Sequence, residues 1–279
     1  MGGGGQQEAP QEVTEQHFSA VYTALMSNDE PGTVLRAHVA SSAEKLAELA
    51  PLRKRGPAVL AHSYEMSALS RISDYLIELG YPSTEFHTAI GLTPFDQAGA
   101  FSSFHHEIAA VVPDPDATQV TVEDVLWPGF WFGDLLFARA GVRVRAPEEL
   151  IDPTVACTST LYFTYRRQPR RTNHPAHDWG SNSRWTIAFD RFYSDDEGLH
   201  FNWDGEIDLG DDPPVNPPDK PPHPDGPLDR RRELLAHRCF VRAPMPPGED
   251  DWYPYDGRLS LTSADWPLRP ETITHPRWS

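Results

Sequence analysis

The stretch His174-Pro-Ala-His-Asp-Trp-Gly-Ser-Asn-Ser-Arg-Trp185 is the one richest in groups that could do chemistry. Two imidazoles and a carboxylate, His174, His177 and Asp178, could gather a metal or move protons near neutral pH, where histidine titrates. A metal site takes three or four ligands placed by rigid elements. Here the three candidates share one expected loop with no identifiable fourth partner, so neither a metal nor another cofactor is expected. Gly180 to Ser183 suit a tight turn whose side chains bond the backbone. Trp179 and Trp185 flank that turn and would pin it on a sheet. These residue types favour binding, through Trp179, Asn182, Arg184, Trp185 and Asp190. The alternative is an acid–base or metal-dependent enzyme using His174, His177 and Asp178, joined by His200.

Other clusters are weaker. His105-His106-Glu107 falls on an expected helix, where adjacent side chains point about 100° apart and cannot all face one metal. No two histidines are spaced as in a His-Glu-x-x-His helix. Arg166-Arg167 with Arg170-Arg171, and Arg230 to Arg232, are basic runs among aromatics. No nucleic-acid module surrounds them, so ion pairs with local carboxylates are expected. No glycine-rich phosphate loop has a strand and helix around it, and no Gly-x-Ser-x-Gly elbow occurs. A binding protein is therefore expected before an enzyme.

The elements that must position these groups fall into two types. Val13 to Met26 reads as a helix with Phe18, Val21 and Leu25 on one stripe. Ser41 with Glu44 suits a capping box for a short helix ended by Pro51. The strongest helix runs from Pro57 to Leu79, with Leu69, Ile72, Leu76 and Leu79 at helical spacing and Gly80 as its stop. Residues 83–112 read as helical again. Thr121 with Asp124 suits another helix start, with Pro128 and Gly129 dividing the apolar run Val125 to Phe132. After Ile151 the period changes to two. Leu161 to Tyr165, Trp185 to Phe189 and Leu199 to Trp203 alternate as strands. Ser194-Asp-Asp-Glu-Gly198 is a hairpin turn with Gly198 free to take positive φ. Asp211 to Pro227 holds eight prolines and reads as an extended loop. Leu228 to His237 is a short helix, Cys239 to Val241 a further strand, and the aromatic tail wraps the domain.

The expected class is α+β: a helical N-terminal half packed with an antiparallel, aromatic-rich β C-terminal half. Residues 1–11 form a disordered lead, 12–150 the helical region, and 151–279 the β-rich region with the proline-rich loop 211–227.

The 279 residues carry a net charge of −17, steeper in the first half. That excess argues against nucleic acid or an anionic membrane as partner and would steer a basic protein towards the chain. The two cysteines, Cys157 and Cys239, exclude a disulfide framework and a cysteine zinc site, and sit in expected strands. Gly2 lacks the serine or threonine four residues on that myristoylation takes. No 18-residue apolar run and no leader-like opening occur, so a cytoplasmic location is expected.

Trp179-Gly-Ser-Asn-Ser-Arg-Trp185, followed by Phe189-Asp-Arg-Phe-Tyr193 and Phe201-Asn-Trp-Asp-Gly205, resembles a pattern in bacterial immunity proteins of polymorphic toxin systems. The resemblance covers about a tenth of the chain. It implies a cytoplasmic protein that binds and neutralises a cognate toxin domain, which for a nuclease toxin is often basic.

Overall fold

Phe18, Val21 and Leu25 lie on one face of helix α1 (His17–Met26), and all three are fully buried. The computed structural model describes residues 16–96, 100–148, 150–158, 189–211, 228–236 and 256–262. α1 leads to α2 (Pro31–Glu48), a 3-10 turn (Ala50–Arg53), α3 (Leu60–Glu78) and α4 (Thr84–Ile90). Helix α3 is the central one. From Ser63 to Asp74 nearly every residue is buried, polar ones included. Its Glu65 carboxylate accepts the backbone N–H groups of His17 at 2.9 Å and Phe18 at 3.0 Å. A residue of one helix thus satisfies first-turn donors of another that have no partner within their own helix. Gly80 (φ +63°) follows α3 and Gly91 (φ +107°) closes α4, both in the left-handed region.

Strands follow the helices: β1 (Thr93–Phe95), β2 (His106–Pro113), β3 (Thr121–Trp127), β4 (Gly129–Phe132), β5 (Leu135–Ala138) and β6 (Ala140–Ala146). After the short helix α5 (Pro153–Thr158) come β7 (Tyr193–Asp195), β8 (Gly198–Phe201) and β9 (Ile207–Asp208). Helix α6 (Leu228–Ala236) and β10 (Gly257–Leu261) complete the described elements. One sheet has seven strands in the order β1-β4-β5-β7-β8-β10-β9, antiparallel except for β9 beside β10. The other has β6 between β2, which is parallel to it, and β3, which is antiparallel. The main core joins the first four helices to the larger sheet through residues such as Leu46, Leu69, Phe104, Leu136, Phe192 and Phe201. A smaller core of Ile108, Val142, Val144, Ile151 and Ala156 lies under the three-stranded sheet.

The class is α+β, with helices mostly before strands. The change of period falls at Thr93, however, not at 151, so the helical region stops near Ile90 instead of reaching 150. The stretch 83–112 is helical only over α4. Ile108 to Val112 belongs to β2, where β-branched side chains pack well on a pleated surface. Thr121 to Phe132 forms two strands, not a divided helix. Asp124 does not cap a helix; it pairs across the sheet with Arg143, beside Glu123 with Arg145. Pro128 separates β3 from β4 and passes the chain from the small sheet to the large one. Ser41 lies inside α2, its hydroxyl donating to His38 O at 3.1 Å, and α2 starts at Pro31. Helix α3 begins at Leu60, three residues after Pro57, and Leu79 is about half exposed. Cys157 is half-buried on α5, not in a strand. The hairpin at 194–198 is present with Gly198 at φ +142°, but its first strand is Tyr193–Asp195. Strand β10 lies within the aromatic tail, where no strand is expected from the sequence. The expected lead 1–11, the strands Leu161–Tyr165 and Cys239–Val241, and nearly all of the proline-rich loop lie outside the described residues, as does Trp185 to Ala188 of a further expected strand. Among the described residues no helix is long and apolar enough to cross a membrane.

Candidate functional site

Of the residues expected to bind or react, His174, His177, Asp178, Trp179, Asn182, Arg184 and Trp185 lie outside the described residues. Asp190 is described. It is half-buried, and loss of hydration, with the Asp204 charge nearby, pushes its carboxyl up to about 8. Its neighbour Arg191 is buried and grips both Asp204 oxygens, its Nε lying 2.6 Å from Oδ2. The two carboxyls therefore differ sharply in setting: one loses hydration, the other is tied to a cation. Arg166, Arg167, Arg170 and Arg171 lie outside the described residues. Arg232 donates to the carbonyls of Leu209 and Gly210, a backbone role.

His105-His106-Glu107 is not helical. His105 precedes β2, and His106 and Glu107 begin it. Successive side chains on a strand point to opposite faces, so these neighbours still do not converge on one metal. Ser102 Oγ lies 2.6 Å from His105 Nδ1, and Ser102 N donates to His106 Nδ1 at 3.1 Å. Burial pushes His105 down to about 4, with His106 and Arg139 adding to the effect.

A different set of side chains converges where the β7–β8 hairpin meets β10 and the segment after the 3-10 turn. The hairpin turn puts Asp195 opposite Gly198, and the same ladder puts Tyr193 opposite His200. On the other edge of β8, Ser260 of β10 is the direct partner of His200. His200 is buried, while Ser260 is exposed. The ring spans its two partners: Nε2 lies 3.0 Å from Asp195 Oδ1, and Nδ1 lies 2.8 Å from Ser260 Oγ. A carboxylate only accepts, so Nε2 carries the proton; in a neutral ring Nδ1 then accepts from the serine hydroxyl. Trp203 stands edge-on to the ring at 6.0 Å.

Arg55 closes the set from the helical side. It forms ion pairs with Asp195 and, at 2.5 Å, with Glu197, and its guanidinium lies 5.0 Å from the Trp203 ring centroid. Burial by itself raises the Asp195 carboxyl, but hydrogen bonds from His200 and Arg55 outweigh it and hold the group below its ordinary value. The segment carrying Arg55 is latched to the sheet at three further points. Tyr193 OH donates to Leu52 O at 3.1 Å, Arg191 to Gly56 O at 2.9 Å, and Asp134 N to Arg53 O at 2.8 Å.

Asp195, Glu197 and His200 each bring one ligand atom, and these atoms lie within 4.8 Å of one another. That set could hold a divalent cation only by displacing Arg55, which already balances both carboxylates, and by breaking a hydrogen bond of His200. As it stands the cluster is a serine–histidine–carboxylate chain, not an ion cage. The hairpin residues were legible in sequence and His200 was an acid–base candidate. Ser260 and Arg55 carried no local signal, since they join the cluster from 60 and 140 residues away.

The fold and site thus define an α+β protein with a hydrogen-bonded serine–histidine–aspartate chain across strands β7, β8 and β10 of a seven-stranded sheet. No family model, curated protein or solved structure matches this chain.

Proposed function

We propose that this chain is an acidic binding protein of the toxin-immunity kind, whose partner is a basic protein domain. The observation that carries the reading is the way its charge is distributed. Among the described residues six cations are spent internally: Arg55, Arg143, Arg145, Arg191, Arg258 and Lys45 all pair with carboxylates of the chain. Exposed carboxylates such as Asp29, Glu30, Glu44, Glu85, Asp96, Asp116 and Asp196 make no such pair among the described residues. Among the described residues the exposed charge without such a pair is therefore largely carboxylate, in keeping with the net charge of −17. Such a field speeds encounter with a basic partner and repels nucleic acid and anionic lipid. The segment Trp179 to Trp185 supplies the aromatic anchors that concentrate binding energy in many interfaces.

Co-expression with the product of the adjacent reading frame tests the proposal. A complex that survives purification, with rescue of growth from that product's toxicity, is the expected outcome; neither rescue nor complex would sink it. Trp179→Ala and Trp185→Ala should each weaken the complex by about 2 kcal/mol if they are anchors. The association rate should fall as salt is raised from low to physiological strength.

A further inference from the structure

We infer that Ser260 is a nucleophile, with His200 as its general base and Asp195 as the residue that positions the base, and that the class of substrate is an activated carboxylic ester. This goes beyond the binding reading and does not depend on it.

The geometry carries the inference. Leu259 and Leu261 turn from Ser260 towards the core, leaving its hydroxyl on the solvent side of β10. That hydroxyl is 2.8 Å from a buried imidazole whose other nitrogen is 3.0 Å from a carboxylate. The chain of groups has the order and spacing of nucleophile, base and orienting carboxylate, which is recognised by geometry and roles whatever the fold. Asp195 fixes the tautomer with the proton on Nε2, so the lone pair of Nδ1 faces the serine. Arg55 in turn fixes Asp195. Two other serine–histidine side-chain contacts occur among the described residues, Ser102 with His105 and Ser42 with His17; burial lowers both of those imidazoles, His105 to about 4, and Ser42 is itself fully buried.

The step balances without an outside oxidant or reductant. Ser260 Oγ bonds to the acyl carbon while its proton passes to His200 Nδ1. The ester C–O bond then breaks, and the leaving alcohol takes that proton. Water repeats the sequence on the acyl-serine: its oxygen bonds to the acyl carbon, its proton passes through Nδ1, and carboxylic acid and free serine are released.

Two probes test this on the full chain: a fluorophosphonate, which bonds to an activated serine with loss of fluoride, and p-nitrophenyl acetate. The expected result is a label mapped by peptide analysis to Ser260, and ester turnover that disappears in Ser260→Ala while that variant still unfolds cooperatively. His200→Gln should slow labelling by about 100-fold. Asp195→Asn should slow it as well, with partial recovery in Asp195→Glu, whereas a purely structural aspartate would alter the melt and leave the labelling rate of the folded protein alone. Because His200 is buried, its variant counts only if it melts like the native chain; otherwise the Asp195 pair decides. No label on the native protein, a label elsewhere only, or equal labelling rates in the folded His200 or Asp195 variants would overturn the inference. Ser260→Ala should still bind the partner sought above, so failure of one proposal is distinguishable from failure of the other.

Discussion

Glu65 holds two backbone N–H groups of α1 from its place on α3, and it is 8 % exposed. The carboxylate does the work of an N-cap from a different helix and sits where the positive end of the α1 dipole favours it. Glu65→Ala should cost about 2–3 kcal/mol, since it leaves two donors in a poorly solvated place without an acceptor. Glu65→Gln should cost less, because an amide oxygen can still accept. Chemical denaturation of the two variants checks the order; equal losses would mean that the side chain matters for packing and not for these hydrogen bonds. Ser260 poses a similar lesson at residue scale. Nothing in Arg258-Leu-Ser-Leu261 marks that serine in the sequence, and only the register of β10 against β8 gives it a histidine.

At the scale of elements, the three-stranded sheet depends on one residue that has no side chain. Gly141 on β6 lies directly opposite Trp127 on β3, and a Cβ there would run into the indole ring. Gly141→Ala should destabilise the protein by about 1–3 kcal/mol through overpacking. Trp127→Leu combined with Gly141→Ala should recover part of that loss, since the smaller side chain makes room; a double variant no better than the single one would refute the contact as cause. The same sheet shows where elements are legible in a sequence. Helices α1 and α3 carry apolar stripes at helical spacing with a glycine stop after α3, and both form, α3 from Leu60 instead of Pro57. Ile108 to Val112 is a continuous apolar run and Val125 to Phe132 one divided by Pro128 and Gly129, and such runs fit a buried strand as well as a buried helix. The β-branched residues of the first, the aromatic residues of the second and the short length of both favour strands. The charges on β3 match Arg143 and Arg145 only once β6 lies beside it. The candidate site divides in the same way: the hairpin is local and visible, whereas Arg55 and Ser260 arrive by tertiary contact.

For the molecule as a whole, four perturbed groups set opposing slopes of stability against pH. Burial pushes both His87 and His105 down to about 4 from 6.5. The unfolded chain takes up their protons as pH falls below 6.5 and the folded chain does not, so their contribution is complete above 6.5 and is lost between 6.5 and 4. His17 is lowered in the same direction, chiefly by burial. Asp190 acts the other way. Its folded carboxyl keeps its proton up to about 8, against an ordinary value of 3.8. Its contribution is complete below 3.8 and is lost as pH rises to 8. Between 4 and 6.5 His87 and His105 outweigh the single aspartate, and stability rises with pH by about 1.4 kcal/mol per unit for that net proton, with His17 adding to the rise. Between 6.5 and 8 Asp190 acts without opposition from these histidines, and stability falls. Unfolding midpoints in urea at pH 5, 6.5 and 8 should therefore pass through a maximum near 6.5. In Asp190→Asn the alkaline fall should disappear while the acid limb stays and steepens, and His87→Phe should flatten the acid limb alone. A midpoint that climbs steadily from pH 5 to 8 in the native chain would show that Asp190 ionises freely in the folded protein, and that its carboxyl is not held protonated beside the Arg191–Asp204 pair.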